Sequence, residues 1–258
     1  MPASNYCNNK RGQIFYIGTS GWTYDHWKGK FYPASLAKTK WFLHYIKYFS
    51  AVEINATFYR TFKDQTYIKW KSQVNESFRY VLKAPRIITH RKYLINVHED
   101  IRSFATSASL LEDNLGLILL QLAPHTKYNP ELLRKTIQLF NNPRKLAVEF
   151  RNKVWLSEEV YTILKEYGVV YCNVDSPKST LNDWVTSDIA YFRLHGRGIW
   201  YSYNYSEREL TDISILAKNF IKKGIKKIYI FFNNDFEGYA PENALLLMDI
   251  LGVNCRGL

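Results

Sequence analysis

Eight short apolar runs recur along the chain, at residues 14–18, 51–55, 79–83, 116–121, 146–150, 169–173, 189–194 and 227–232. Most are rich in Val, Ile, Leu, Phe and Tyr and continuous rather than alternating. That is the pattern of parallel strands covered on both faces. Helical patterns lie between them, over 35–49, 130–140, 157–167, 206–221 and 241–251, with less regular ones over 64–74 and 100–112. Asn129 before Pro130 reads as a helix start, and Ser206 with Glu209 as a capping box. Gly168, Gly224 and Gly252 stand where helices stop. The segment 176–188 leaves room for one short helix. Eight strands alternating with about eight helices in 258 residues is the arithmetic of a (β/α)8 barrel. A doubly wound open sheet is the competitor, but no Gly-rich dinucleotide fingerprint follows any strand. The expectation is an α/β fold, a single-domain TIM-like barrel over residues 13–258 behind a flexible tail at 1–12.

Composition removes other classes. At 47% hydrophobic residues the chain is too apolar for disorder. No apolar run approaches the roughly 20 residues of a membrane span, so no membrane partner is expected. The N-terminus lacks the apolar core of a signal peptide. Cys7, Cys172 and Cys255 are too few and too widely spaced for a disulfide framework or a zinc knuckle, and a cytoplasmic location is expected. The net charge of +12 is uneven. Residues 1–129 hold 18 Lys and Arg against 8 Asp and Glu, a net of +10, and the second half is nearly neutral. A basic half fits an anionic partner, or a solvated lysine-rich surface.

In a barrel of this type chemistry sits at the C-terminal ends of the strands. Small or polar residues close every run: Gly18 to Trp22; Glu53, Asn55 and Tyr59; Lys83 with Arg86 and His90; Gln121; Glu149 and Arg151; Asn173 and Asp175; Arg193, His195 and Gly196; Asn233, Asn234 and Asp235. Residues two apart on a strand share a face. If those faces point inward, Glu53 and Glu149 converge with Lys83, Arg151 and Arg193. The same residues would also serve as a self-neutralising ion-pair network closing the barrel mouth.

These motifs also carry a resemblance. Gly18-Thr-Ser-Gly-Trp22, Val52-Glu-Ile-Asn55 with Thr57-Phe-Tyr59, Lys83-Ala-Pro with Ile88-Thr-His90, and Gln121-Leu follow one another in order. Glu149-Phe-Arg151 with Trp155, Arg193-Leu-His-Gly196, and Tyr229-Ile-Phe-Phe-Asn-Asn-Asp235 with Gly238 and Asn243 complete the series. The chain resembles the DUF72, or YecE-like, family across residues 17 to 243. The resemblance implies a TIM-barrel-like fold and assigns no reaction. Ala56 stands where Ser is common in that family, and Asn152 and Val154 where His and Ser are, which bears on any hydroxyl or imidazole role there.

Several chemistries use this rim. Glu53 and Glu149 are candidate acid and base groups, and His195 a candidate proton shuttle beside a glycine that lets a ligand approach. Lys83 is a candidate nucleophile able to form a Schiff base, although an ion pair with Glu53 or Glu149 is the plainer expectation. Lys83, Arg86, Arg151, Arg193 and Arg197 suit a phosphate or carboxylate, as does the helix start after the eighth strand. Asn55, Tyr59, His90, Gln121, Asp175, Asn233, Asn234 and Trp22 complete the candidate binding set. No cofactor is expected. Glu53, Glu149, Asp175, His90 and His195 have metal-ligand chemistry, but no His-x-His or Cys pair accompanies them, and nearby Arg residues repel a divalent metal. The favoured reading is an enzyme acting on a small anionic or phosphorylated ligand. The loops after strands one and seven are rich in Trp and Tyr, which keeps two alternatives open: a non-catalytic nucleic-acid-binding protein, and a carbohydrate-active hydrolase built on the Glu pair. The sequence does not fix the oligomeric state.

Overall fold

The computed structural model describes residues 15–253, so the 1–12 tail, Cys7 and Cys255 lie outside the described residues. All eight strands are present: β1 (Phe15–Thr19), β2 (Ala51–Ile54), β3 (Arg79–Lys83), β4 (Leu115–Gln121), β5 (Leu146–Glu149), β6 (Val170–Asp175), β7 (Ile189–Leu194) and β8 (Lys227–Phe232). They pair in parallel in the order β1-β8-β7-β6-β5-β4-β3-β2. The last seam, β1 to β2, closes by a single bridge between Ser20 and Glu53, where the Gly21 amide donates to the Glu53 carbonyl at 2.8 Å. Gly18 makes this seam tight: a Cβ there would overlap the Ala51 carbonyl and the Tyr45 hydroxyl.

Alternation along the strands separates two apolar layers. Tyr16, Ala51, Val81, Leu117, Leu119, Ala147, Val170, Cys172, Val174, Tyr191, Tyr229 and Phe231 fill the lumen. The other face, with Val52, Tyr80, Leu120, Val148, Phe192 and Ile230, packs under the helices. Both layers being apolar is why the strands read as unbroken apolar runs.

The helices are α1 (Trp41–Tyr45), α2 (Ala56–Tyr59), α3 (Asp64–Ser72), α4 (His98–Ser109), α5 (Pro130–Gln138), α6 (Glu158–Tyr167), α7 (Glu207–Lys222) and α8 (Tyr239–Leu251). Asn129 caps α5 by accepting from the Leu132 amide at 2.9 Å. The Ser206–Glu209 capping box is formed, and Gly168 takes the left-handed conformation that ends α6.

Two expectations need correction. The pattern over 35–49 is not one helix but a 3-10 turn, Lys38–Lys40, leading into the five-residue α1. Its aromatic residues are mediocre helix formers, and tertiary contacts decide their placement. Trp41 stacks on Tyr32, and the Tyr45 hydroxyl accepts from the Thr19 amide and donates to the Ala51 carbonyl, tying α1 to the β1–β2 seam. No helix forms over 176–188. There Asn173 pins Asn182 on both sides, Nδ2 donating to the Asn182 carbonyl at 2.6 Å and Oδ1 accepting its amide at 2.9 Å. That holds the segment extended.

Candidate functional site

Five strands place a polar side chain two residues beyond a lumen residue: Ala51 leads to Glu53, Val81 to Lys83, Leu119 to Gln121, Ala147 to Glu149 and Tyr191 to Arg193. This layer caps the lumen at the C-terminal end of the barrel. Its centre is Arg193, 1% exposed. Nε and Nη2 donate to the two Glu53 oxygens at 2.8 and 2.7 Å, and Nη1 donates to Glu149 Oε2. Glu53 also accepts from Ser20 Oγ at 2.7 Å and from the Tyr191 hydroxyl. Glu149 accepts from Gln121 Nε2 at 2.7 Å and pairs with Arg151 Nε at 2.5 Å.

Burial alone would raise both carboxyls, but the guanidinium groups outweigh it. Arg193 holds Glu53 below the usual carboxylate range, and Arg151 and Arg193 hold Glu149 well below it. Both are therefore anions with their lone pairs engaged. The self-neutralising network anticipated for the mouth is formed at its floor.

His195 belongs to the same network. Arg193 Nη1 and Arg151 Nη2 lie 3.3 and 3.4 Å from its Nε2, and the Asn233 amide lies 2.9 Å from Nδ1. Guanidinium groups only donate, so Nε2 is the unprotonated nitrogen and Nδ1 carries the proton. Burial, reinforced by Arg193, pushes the imidazole well below its ordinary value. A neutral ring so reluctant to take a proton is a poor shuttle, and its geometry is that of an acceptor orienting two arginines. Gly196 beside it does not open a path for a ligand. Tyr203 fills the space next to its Cα, and its amide donates to the Tyr205 hydroxyl at 2.9 Å.

Lys83 behaves differently from the sequence expectation. It forms no ion pair with Glu53 or Glu149. Its ammonium lies 4.1 Å from the Phe58 ring centroid. Phe58 is carried by α2, which Thr57 fastens to β3 by donating to the Lys83 carbonyl at 2.7 Å. Burial, with the charge of Arg193, lowers the Lys83 amine to about 8. Across the Phe58 edge stands His90, on a π-helical turn, Ile87–Arg91. Such turns recur at functional sites. Burial and the positive charges of Lys83, Arg86 and Arg151 lower His90 to about 4.

Arg151 links the floor to a cavity of about 190 Å³ lined by Arg151, Lys153, Lys178, Ser176, Ser179, Phe150, Tyr171, Cys172 and Trp200 among others, with no carboxylate in its wall. Trp200 from the loop after β7 lies over the Arg151 guanidinium, 5.1 Å from its centroid. Asn55, half-buried at the start of α2, has a buried Oδ1 with no partner. Arg86 and Tyr59 are exposed at the rim.

The remaining candidates lie elsewhere. Asn173 and Asp175 sit on the helix-facing side of β6. Asp175 receives Arg197 Nε at 2.8 Å, and Arg197 also reaches Glu209 at 3.2 Å, so this arginine anchors the loop after β7 to α7. Asn234 donates to the Tyr203 carbonyl at 2.7 Å and to Asn243 at 2.8 Å, again holding that loop. Trp22 packs on Phe42. The start of α8 is covered by the loop after β1, through Trp27 Nε1 to the Asp235 carbonyl at 2.8 Å and Lys30 on Glu237. Among the described residues no group of three or more His, Cys, Asp and Glu is placed to hold a metal ion. No helix among them is long and apolar enough to cross a membrane. Phe58 and Tyr191 were not anticipated. Tyr191 was legible in principle, two residues before Arg193 and so on its face, whereas Phe58 needed α2.

Residues 16–258 match the family described as "Protein of unknown function DUF72". The chain belongs to the DUF72 family. This DUF72 protein is 27% identical to the UPF0759 protein YunF of Bacillus subtilis, across 95% of its own length and 97% of that relative. A shorter stretch, 42% of the chain, is 29% identical to 38% of the UPF0759 protein YecE of Escherichia coli K12. The crystal structure of a DUF72 family protein from Thermotoga maritima superposes with a TM-score of 0.84 and 30% identity, covering 93% of this chain and 100% of that one. A DUF72 family protein from Enterococcus faecalis shares the fold with a TM-score of 0.79 at 23% identity, over 93% of this chain and 96% of that one. The departures from the family motifs lie beside the site. Asn152 caps a 3-10 turn by accepting from the Val154 amide at 3.1 Å, Val154 is exposed, and Ala56 opens α2.

Proposed function

We propose that this protein binds a small phosphorylated or otherwise anionic ligand at the C-terminal mouth of the barrel and carries out acid–base chemistry on it. The observation that carries this reading is a charge imbalance. Glu53 and Glu149 are satisfied by Arg193 and Arg151, while Lys83 forms no ion pair among the described residues, and Arg86 adds an exposed cation beside His90 at the rim. An enclosed excess of cations is relieved by an anion that brings its own charge. The basic, carboxylate-free cavity next to Arg151 gives the ligand room, and the unpartnered Asn55 oxygen offers an acceptor. Within this reading the Glu pair and His195 set the arginines. Lys83, with its amine near 8, is the group that gives and takes protons close to neutrality.

The test is thermal unfolding with inorganic phosphate. Millimolar phosphate raises the Tm of the wild type at constant ionic strength, and Arg151→Gln removes most of that rise. The same Tm with phosphate and with matched sodium chloride sinks the reading.

The alternatives keep less support. The aromatic residues after β1 pack on one another, Trp27, Phe31 and Tyr32 against Trp41 and Tyr45, and leave a nucleic acid little to stack on. A glycoside hydrolase needs one protonated carboxyl, and both here are held as anions.

A further inference from the structure

We propose that the Lys83 amine is a nucleophile: it condenses with the carbonyl group of an anionic substrate to give an imine at the barrel mouth. The inference deepens the anionic-ligand reading and rests on it for the class of substrate, a small aldehyde or ketone bearing a carboxylate or phosphate.

Lys83 ends the inward-facing strand β3 and is 8% exposed, so it is largely desolvated at the mouth. The usual fate of such a lysine is an ion pair. Here two carboxylates stand in the same layer, and both are taken by arginines. The ammonium instead rests on an aromatic face, a weak hold, with no ion pair among the described residues. Charged neighbours divide. Arg193 on β7 and Arg151 after β5 disfavour the protonated amine, Glu149 and Glu53 favour it, and burial tips the balance toward the neutral form. Arg86 and His90 face it from the turn after β3, His90 being neutral. A desolvated lysine among other cations is the arrangement that activates an amine toward carbonyls.

The step balances without an added reagent. The lone pair of the neutral Nζ forms the C–N bond as the carbonyl π pair moves to oxygen. That oxygen takes the two protons that the nitrogen gives up, and leaves as water as the C=N bond forms. The two amine protons thereby account for the two hydrogens of the water. Arg151, which lines the basic cavity, holds the carboxylate or phosphate that brings the carbonyl to it.

The experiment uses the intact protein, glyoxylate as an anionic aldehyde, propionaldehyde as a neutral one, and cyanoborohydride to reduce and trap the imine. Peptide mapping then compares Lys83 with surface lysines. A drop from about 10.5 to about 8 enlarges the neutral fraction of the amine at pH 7 on the order of 100-fold. Glyoxylate is expected to label Lys83 at least on the order of tenfold faster than surface lysines, with inorganic phosphate protecting it. Lys83→Met removes the fast adduct and leaves slow surface labelling. If Lys83 labels no faster than surface lysines, or the fast adduct survives in Lys83→Met, the imine proposal is overturned, even where phosphate still raises the Tm. If propionaldehyde labels Lys83 as fast as glyoxylate and phosphate gives no protection, the nucleophile stands and the anionic-ligand reading falls.

Discussion

Arg193 donates to Glu53 through Nε and Nη2 and to Glu149 through Nη1, so removing it strands the buried Glu53 anion and leaves Glu149 to Arg151 alone. Breaking such a group from one side costs about 3–5 kcal/mol. Arg193→Met is expected to lose that much in denaturant unfolding, and a loss below about 1 kcal/mol would show that the carboxylates find other partners. The pair also sets an acid limit. Both carboxyls lie below their ordinary 4.5 in the folded chain, so the unfolded chain takes up protons first as pH falls. Their contribution is complete above 4.5 and drains away below it. Glu149→Gln therefore flattens the fall of stability between pH 4.5 and 2, read as the slope of unfolding free energy against pH. Lys83 works in the opposite sense. Its folded amine, at about 8, lies below the 10.5 of the unfolded chain, so holding the charge costs stability below pH 8, and the cost fades as pH rises toward 10.5. Lys83→Met keeps the stem and removes the charge. It is expected to raise stability at pH 7 by about 1–2 kcal/mol, the size of gain typical when a functional group held against the fold is removed. A lowered Tm in calorimetry would show that the ammonium supports the barrel.

At the level of elements, the parts written in local chemistry were readable and the parts written in packing were not. Ser206 and Glu209 satisfy each other's backbone amides at the start of α7, and the three-residue spacing alone announces it. Ser206→Ala should cost about 1 kcal/mol by denaturant unfolding. An unchanged midpoint would mean that Glu209 holds the turn through Arg197 and Tyr203 without the serine. In contrast, α1 and α2 carry no cap and too few residues for a period to show. They exist because Tyr45 and Thr57 find partners on β1, β2 and β3. The site depends on one of them. Phe58, the platform under Lys83, is legible as an aromatic residue in a motif, but its place over the amine follows only once α2 is folded onto β3.

For the whole molecule, the charge of +12 separates into two populations. Most lysines are exposed and solvated, and only a few cations are enclosed at the mouth. Non-specific binding to DNA arises from the first population and follows counterion release. Any affinity for duplex DNA seen at 50 mM salt is expected to fall by about two orders of magnitude or more at 200 mM, and to be indifferent to Arg151→Gln. A salt-resistant complex weakened by that substitution would move the nucleic-acid reading ahead of the small-anion one. The same separation explains why total charge said little about the site.

The sequence by itself determined the barrel. Eight apolar runs of strand length, spaced by capped helices, permit few closed arrangements, and alternation along each strand fixes which residues share a face. That was enough to bring Glu53, Glu149, Lys83, Arg151 and Arg193 together by number. It failed at Asn173 and Asp175, because a continuous apolar run does not reveal which of its two faces turns inward. What only the tertiary structure decided was the pairing of charges. Two carboxylates and three cations in one layer can combine in several ways, and the choice depends on the angle at which each strand crosses the mouth. The fold gives both carboxylates to arginines, whose planar forks reach two anions at once, and leaves the single-pointed lysine uncompensated.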